Sequence, residues 1–419
     1  MYRAYAVAGT VVSPFVLPVL LASHRGRIRI SERFGDWGEL PELKWWFHGA
    51  SVGEVSGLLP VMNALRQSDP AAKQLLTTTS PTGLDRGRDA ADALRLAPLD
   101  VPWCVRRALR GVRVEHFVVS ETEVWPVLFT ALQKRGVRCS IVNGRISDYT
   151  VEWYRRLRPI FRSVMSNMSS VVVTSSEQVR RFEALGVVPE RITVSGNSKY
   201  DTTPTVNSDQ AREQLRQTFF PGVAQETPII VLGSIRPGEE GYWWSAFSKM
   251  WGAGHVFKVI VAPRHSEKFP YFLDRVRELH RHFATWSTLS ERREEQRDVL
   301  LLDVYGQLEA AYSTAQLCFI GATLIDVGGH NPLEAAMYSV PVCVGPYTSV
   351  IADVVADMQS VAGIIDVSNE DSILTVVERA CSRDPELKAL GERGATVWEK
   401  HRGATARIVK ALTPHTGGA

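Results

Sequence analysis

The sequence predicts an α/β protein of two Rossmann-like domains facing a cleft. Three observations carry this. Short apolar runs alternate with longer helix-like stretches along nearly the whole chain. Most of these runs are continuous Val/Ile/Leu rather than alternating, as expected of parallel strands covered on both faces. One polar, turn-rich segment, Tyr200-Asp-Thr-Thr-Pro-Thr-Val-Asn-Ser208, divides the alternation into halves of similar size. The 419 residues also exceed what one ordinary core holds, at roughly 100–200 residues per domain.

In the first half the candidate strands are Trp45–His48, Leu75–Thr79, His116–Ser120, Cys139–Asn143, Val171–Thr174 and Ile192–Ser195. In the second they are Ile229–Leu232, Val256–Ala262, Val299–Leu302, Leu317–Ile320 and Val340–Val344. Helical patterns lie between them at Val55–Gln67, Pro126–Arg135, Ser176–Leu185 and Gln307–Ser313. Strand–helix alternation repeated this often specifies doubly wound sheets, whose ligands bind beyond the strand C-termini. The expected division is a membrane anchor over 1–24, a first domain over 25–205 and a second over 206–419. The last helical stretch, Pro385 to Leu412, either closes the second domain or returns to the first.

The anchor is read from the start of the chain. No charge occurs from Ala4 to Ser23, and His24, Arg25, Arg27 and Arg29 follow, with only Arg3 before. About 20 apolar residues span a bilayer as a helix, and this charge bias keeps the following chain in the cytoplasm. Pro14 and Pro18 favour a kinked or shallow anchor over a straight one, and a buried helix of the first domain is the alternative. The net charge of +3 gives no case for nucleic acid. Basic clusters at Arg106, Arg107, Arg110 and Arg113, and at Arg155, Arg156, Arg158 and Arg162, are either solvated helix faces or contacts to anionic lipid headgroups. Five widely spaced cysteines without CxxC or Cys/His spacing read as buried free thiols in a reducing compartment, not a metal site.

Three segments carry chemistry, each a strand running into a polar turn. In Phe47-His-Gly-Ala-Ser51-Val-Gly53-Glu54, small residues admit a ligand to the backbone, and Glu54 falls at a helix N-terminus. Its carboxylate is expected to be held ionised, as a base that takes a proton from a hydroxyl; a helix-capping Glu is the plainer alternative. In Ser120-Glu121-Thr-Glu123-Val-Trp-Pro126, Glu121 and Glu123 share one side of an extended segment, or else serve as first-turn acids of a helix at Pro126. In Ile320-Gly-Ala-Thr-Leu-Ile-Asp-Val-Gly328-Gly329-His330-Asn331-Pro-Leu-Glu334, the glycines leave a helix N-terminus near Asn331–Pro332 open to phosphate. Neither GxGxxG nor a Walker loop is present. Ser234 and Arg236, Arg264 and His265, and Lys199 follow other apolar runs, as anion ligands or ordinary loop residues.

Taken in order, His48-Gly-Ala-Ser-Val-Gly-Glu54, Thr78-Thr-Ser-Pro-Thr-Gly83, Glu121-Thr-Glu-Val-Trp-Pro126, Val142-Asn-Gly-Arg145-Ile-Ser147, Gly196-Asn-Ser-Lys199, Pro263-Arg-His265 and Gly328-Gly-His-Asn-Pro-Leu-Glu334 resemble the 3-deoxy-D-manno-oct-2-ulosonic acid (Kdo) transferases of lipopolysaccharide assembly. The resemblance covers nearly the whole chain. It implies a GT-B fold, CMP-Kdo as donor, the lipid A precursor lipid IV(A) as acceptor, no metal or other cofactor, and inversion at the anomeric centre. It further implies Glu54 as catalytic base, with Ser51, Gly53, Glu121, Glu123 and Arg145 on the acceptor side. Ser234, Arg236, Arg264, His265, Gly328, Gly329, His330, Asn331, Glu334 and Lys199 fall to the donor. This chain departs from the family at three places. Ser234-Ile-Arg236 replaces Ser-Thr-His before Gly-Glu-Glu, Ser198 replaces a leucine, and Tyr347-Thr-Ser-Val-Ile351 replaces His-Thr-x-Asn-Phe. A GT-B transferase or epimerase for another nucleotide sugar, and a non-catalytic membrane-bound scaffold, are the alternatives.

Overall fold

The computed structural model describes residues 5, 9–10, 27–146, 150–152, 154, 158–289 and 296–413. The expected anchor lies almost wholly outside the described residues, as do Arg155 and Arg156 of the second basic cluster and Ser147 of the fourth motif. Among the described residues no helix is long and apolar enough to cross a membrane.

The chain forms two compact units, Met1–Asp201 with Gly403–Ala419, and Thr202–Arg402. Each is built on a seven-stranded parallel sheet. The first contains β1 (Trp45–His48), β2 (Gln74–Thr78), β3 (Ala93–Leu96), β4 (His116–Ser120), β5 (Arg138–Gly144), β6 (Ser170–Val173) and β7 (Ile192–Val194). Its order is β3-β2-β1-β4-β5-β6-β7. The second contains β8 (Ile229–Ile235), β9 (Lys258–Pro263), β10 (Phe283–Thr285), β11 (Val299–Leu301), β12 (Leu317–Ile320), β13 (Val342–Val344) and β14 (Ile365–Asp366). Its order is β10-β11-β9-β8-β12-β13-β14. Six helices bear on the site and its support: α1 (Val52–Ser68), α2 (Pro126–Gln133), α3 (Glu240–Gly252), α4 (Leu333–Ala336), α5 (Pro385–His401) and α6 (Ala404–Leu412).

The continuous apolar runs are explained by burial on both faces. In the first sheet Trp46, Leu75, Phe117, Ile141 and Val171 pack on one side. Trp45, Phe47, Leu76, Val118, Val142 and Val172 pack on the other, against Val55, Leu58, Val61 and Met62 of α1. In the second sheet Ile230, Leu232, Val259, Val261 and Phe319 pack against Trp243 and Phe247 of α3. All five cysteines are free, and four are buried.

The helical stretch over 385–412 is two helices, broken where Gly403 takes a left-handed φ of 74°. There the chain leaves the second unit, and α6 adds Ile408 and Leu412 to the α1 face of the first. Asp201 fixes this junction, its carboxylate accepting the N–H groups of Gly403 and Thr405 at 2.7 Å each.

In both sheets the chain order reverses direction beside the first strand, between β1 and β4 and between β8 and β12. Open α/β sheets place their ligand crevice outside the strand C-termini at such a point. The three polar turns singled out in the sequence follow β1, β4 and β12, and Ser234–Arg236 closes β8.

Candidate active site

In the first unit the turn after β1 is shaped by its own small residues. A side chain on Gly49 would press on Val55 N and Glu54 C at 3.0 and 3.1 Å, so close packing requires glycine there. A side chain on Gly53 would meet only Ser51 Oγ, at 3.7 Å, so the fold itself does not require glycine at that position. The hydroxyls of Thr78 and Thr79 both donate to the carbonyl of Ala50 and pin the turn to the end of β2. Ser51 caps α1, its Oγ accepting the Glu54 N–H at 3.2 Å. Glu54 therefore occupies the third helical position and folds back. Its Oε2 accepts the Ala50 N–H at 2.7 Å and its Oε1 accepts from the Ser51 hydroxyl at 3.0 Å.

The expectation that Glu54 is simply held ionised is corrected. Burial, helped by the charges of Glu121 and Glu123, pushes its carboxyl up to about 7 against the opposing Ala50 and Ser51 hydrogen bonds. Desolvation outweighs the helix N-terminus here. The outcome suits a general base better than full ionisation, because a base works best with its pKa near the operating pH.

Glu121 and Glu123 leave the end of β4 in a non-helical turn. Glu121 has a left-handed φ of 57° and donates its N–H to Val142 O at 2.8 Å. Helix α2 begins only at Pro126, with Trp125 before it, so neither acid is a first-turn cap. Trp125 Nε1 donates to Glu123 Oε2 at 3.2 Å, and burial raises the Glu123 carboxyl. Thr122 ties the turn to the exposed Arg145, donating its hydroxyl to Arg145 O at 3.1 Å. His48, at the end of β1, is buried with its ring edge-on to Trp125; burial lowers it to about 4, which keeps it neutral.

Lys199, expected on the donor side, lies in the first unit, on the turn after β7 that packs against α1. Its ammonium lies over the Tyr200 ring, 5.1 Å from the centroid, and its N–H donates to Asn197 Oδ1 at 2.9 Å. The side chain of Asn143, in left-handed backbone at φ 52°, accepts the Ser198 N–H at 2.9 Å. The Ser198 hydroxyl donates to Gly57 O of α1 at 2.6 Å.

In the second unit one carboxylate builds the site. Glu239, fully buried, accepts four backbone N–H groups: Arg236 and Ala322 at Oε2, Thr323 and Leu324 at Oε1, all at 2.9–3.0 Å. It thus staples the turn after β8 to the turn after β12. Ser234, in left-handed backbone at φ 55°, lies so close to Gly321 that a Cβ there would meet Ser234 O at 2.3 Å. Gly328 and Gly329 have φ of 105° and 89°, and side chains there would strike Val350 and Ile351.

The expected helix N-terminus over this loop is only partly present. Helix α4 is one turn long, and Pro332 rather than Asn331 is its cap. Asn331 accepts the Leu333 N–H at 3.0 Å and also hydrogen-bonds Glu334. One turn has little macrodipole, so side chains supply the positive potential. Arg236, Arg264 and His265 lie close enough to lower His330, whose main perturbation is burial, to about 4. Arg264 also draws down the carboxyl of Glu334, which burial raises. Arg236 Nε and His330 Nε2 are buried without a hydrogen-bond partner.

The structure thus gathers Ser51, Gly53, Glu54, Glu121, Glu123 and Arg145 at the switch point of one unit. It gathers Ser234, Arg236, Arg264, His265, Gly328, Gly329, His330, Asn331 and Glu334 at that of the other. Sequence reasoning did not assign roles to Trp125, Asn143 or Glu239. All three sit inside quoted motifs, but nothing in a sequence reveals an acid that serves four distant N–H groups.

Comparison with known proteins bears out the resemblance. The family model described as 3-deoxy-D-manno-octulosonic-acid transferase (kdotransferase) matches residues 28–202. A 3-deoxy-D-manno-octulosonic acid transferase of Haemophilus influenzae is 28% identical over 408 residues, covering 96% of this chain and 94% of that protein. One from Chlamydia trachomatis is 28% identical over 83% of this chain and 80% of its own, and one from Aquifex aeolicus 27% identical over 82% and 87%. Among solved structures, a UDP-GlcNAc 2-epimerase from Neisseria meningitidis aligns with TM-score 0.53 at 13% identity over 88% of this chain and 99% of its own. A glycosyltransferase from Rickettsia africae aligns with TM-score 0.50 at 12% identity, over 90% of this chain and all of its own. These two likenesses bear on the fold, two parallel-sheet α/β units of the GT-B kind.

Proposed function

We propose that this chain, similar along nearly its whole length to the Kdo transferases, moves Kdo from CMP-Kdo to a lipid A precursor in lipopolysaccharide synthesis. In this reading Glu54 takes the proton of an acceptor sugar hydroxyl as that oxygen bonds to the ketosidic carbon of Kdo. The bond from that carbon to the phosphate oxygen breaks through an oxocarbenium-like state, and CMP leaves with the electron pair. Attack opposite the leaving group inverts the centre. The acceptor is held beside Ser51, Gly53, Glu121, Glu123 and Arg145, and the donor by the cations and open backbone of the second unit. The step asks for no metal or other cofactor.

One observation carries the reading: Glu54 stands at the switch point with its carboxyl brought to about 7 by burial and by two neighbouring acids. A capping glutamate has no use for that environment, whereas a base acting at neutral pH does. An acceptor that is a lipid fits attachment to the cytoplasmic face of the inner membrane, through the N-terminal apolar segment and contacts of the basic clusters with anionic lipid.

The test is incubation of membranes carrying the protein with CMP-Kdo and lipid IV(A). Release of CMP together with a mass gain on the lipid of one Kdo or more is expected. Neither appearing would sink the assignment. Turnover of a UDP-sugar without lipid modification would favour the epimerase alternative.

A further inference from the structure

Resting on the Kdo-transfer reading, a specific role falls to Arg236. A CMP-ulosonate carries two anionic groups, the phosphodiester and the sugar's own carboxylate, whereas a nucleotide donor with a neutral sugar lacks the second. The second unit offers two guanidinium groups at its switch point, Arg236 after β8 and Arg264 after β9, and neither forms an ion pair among the described residues.

The two are not equivalent. Arg264 is exposed and has the carboxylate of Glu334 in its field. Arg236 is half-buried, and its Nε is fully buried with no partner. A carboxylate does lie beside it in sequence, but both oxygens of Glu239 are committed to backbone N–H groups, one of them that of Arg236 itself. The backbone of Arg236 is therefore fixed while its side chain carries an unanswered charge. Arg236 shares the surroundings of the neutral His330 with Arg264 and His265. A buried guanidinium donor without an acceptor is unfavourable, and an incoming acid removes that cost. The fork of a guanidinium matches the two oxygens of a carboxylate. Position agrees with this. β8 flanks the switch point, and β9 lies one strand further out.

We propose that Arg236 is the receptor for the carboxylate of the donor sugar, leaving Arg264 and the Gly328–Gly329 backbone to the phosphate. The Kdo transferases that this chain resembles have a histidine at this place, so the device belongs to this chain's departure from them.

The test compares binding of CMP and of CMP-Kdo to the full-length wild type, Arg236→Gln, Arg236→Lys and Arg264→Gln by calorimetry, with thermal melts of each. For Arg236→Gln, CMP-Kdo is expected to weaken 10- to 100-fold while CMP stays within threefold. Arg236→Lys should recover part of the loss, and Arg264→Gln should weaken both ligands together. A parallel loss of CMP and CMP-Kdo in Arg236→Gln would make Arg236 a phosphate ligand and overturn the proposal. So would no loss of either. If Arg236→Gln fails to fold, Arg236→Lys decides alone, a selective loss for CMP-Kdo supporting the proposal and unchanged selectivity overturning it. Failure of the wild type to bind CMP-Kdo would instead defeat the functional reading beneath it.

Discussion

Ser51 and Glu54 hold each other: the Ser51 hydroxyl caps the Glu54 N–H at 3.2 Å and also donates to Glu54 Oε1 at 3.0 Å. The Ala50 N–H takes the second oxygen at 2.7 Å, so the carboxylate is fixed by the start of its own helix. A glutamine can keep the Ala50 contact but cannot take a proton. Glu54→Gln is therefore expected to lower turnover by about 10²–10⁴-fold with donor KM little changed. Initial rates at saturating lipid acceptor decide this, and a variant with wild-type turnover would remove Glu54 from the chemistry.

The same residue sets a pH dependence. The base works ionised, so kcat/KM should rise with pH through about 7. Glu121→Gln and Glu123→Gln each remove a charge that raises Glu54 and should move that limb to lower pH. A pH–rate profile of the three proteins checks it; a limb that stays put in both variants would show that these acids do not reach Glu54.

Stability follows with the opposite sense. Glu54 keeps its proton up to about 7 when folded, whereas an unfolded glutamate releases it near pH 4.3. Its contribution is fully present below pH 4.3 and is lost as pH rises through 7. Because the side chain is partly exposed, solvent screening reduces the loss to about 1–2 kcal/mol. Urea unfolding at pH 5 and pH 8 should show this loss in the wild type and its absence in Glu54→Gln.

Ser198 stands where the resembled family has leucine, yet its hydroxyl and N–H are both engaged, with Gly57 O and the Asn143 side chain. Ser198→Leu is expected to destabilise this protein by about 1–3 kcal/mol, because Asn143 Nδ2 loses its 2.9 Å contact with the Ser198 hydroxyl in a buried position. A shift in denaturation midpoint measures it, and an unchanged midpoint would mean that the site relaxes around leucine.

Glu239 offers a sharper case. Glu239→Ala leaves four N–H groups without their acceptor and frees two turns from each other. A loss of about 3 kcal/mol or more is expected, since a buried N–H left without its acceptor costs about 1–3 kcal/mol. Glu239→Gln should cost less, since its oxygen still accepts while its amide faces N–H donors. Chemical denaturation of both variants tests the order, and equal stability of the two would contradict the clamp.

Much of this was legible in the sequence because parallel strands covered on both faces announce themselves as apolar runs. All eleven candidate strands correspond to observed ones. The three that escaped, β3, β10 and β14, are all at sheet edges. Ala93-Leu-Arg95-Leu96 carries a charge in its middle, Phe283–Thr285 is only partly covered, and Ile365–Asp366 is two residues long. An edge strand has one neighbour and less cover, so no continuous apolar run is demanded of it. The site was legible as a set of turns because strand ends are where chemistry collects. It was not legible where the work is done by backbone. The position of Lys199 depends on Ser198 and Asn143 meeting across 55 residues, and the brevity of α4 depends on how the chain turns after Ala336. The degree of ionisation of Glu54 was misjudged for a related reason, since burial is a property of the fold and not of the motif.

The return of α6 to the first unit has a bearing on how the protein is made. Ile408 and Leu412 pack in the same cluster as Val55 and Leu58 of α1, the helix that begins beside Glu54. Arg407 donates to Ser195 O at the end of β7, and Asp201 waits for the N–H groups of Gly403 and Thr405. On the ribosome, the half that is synthesised first is therefore the half that finishes last. The face that α6 covers stays open while the second unit is translated, and closes when α6 emerges. A nonsense mutation before Gly403 would spare the donor-side sheet and strip α6 from the helix that begins beside Glu54.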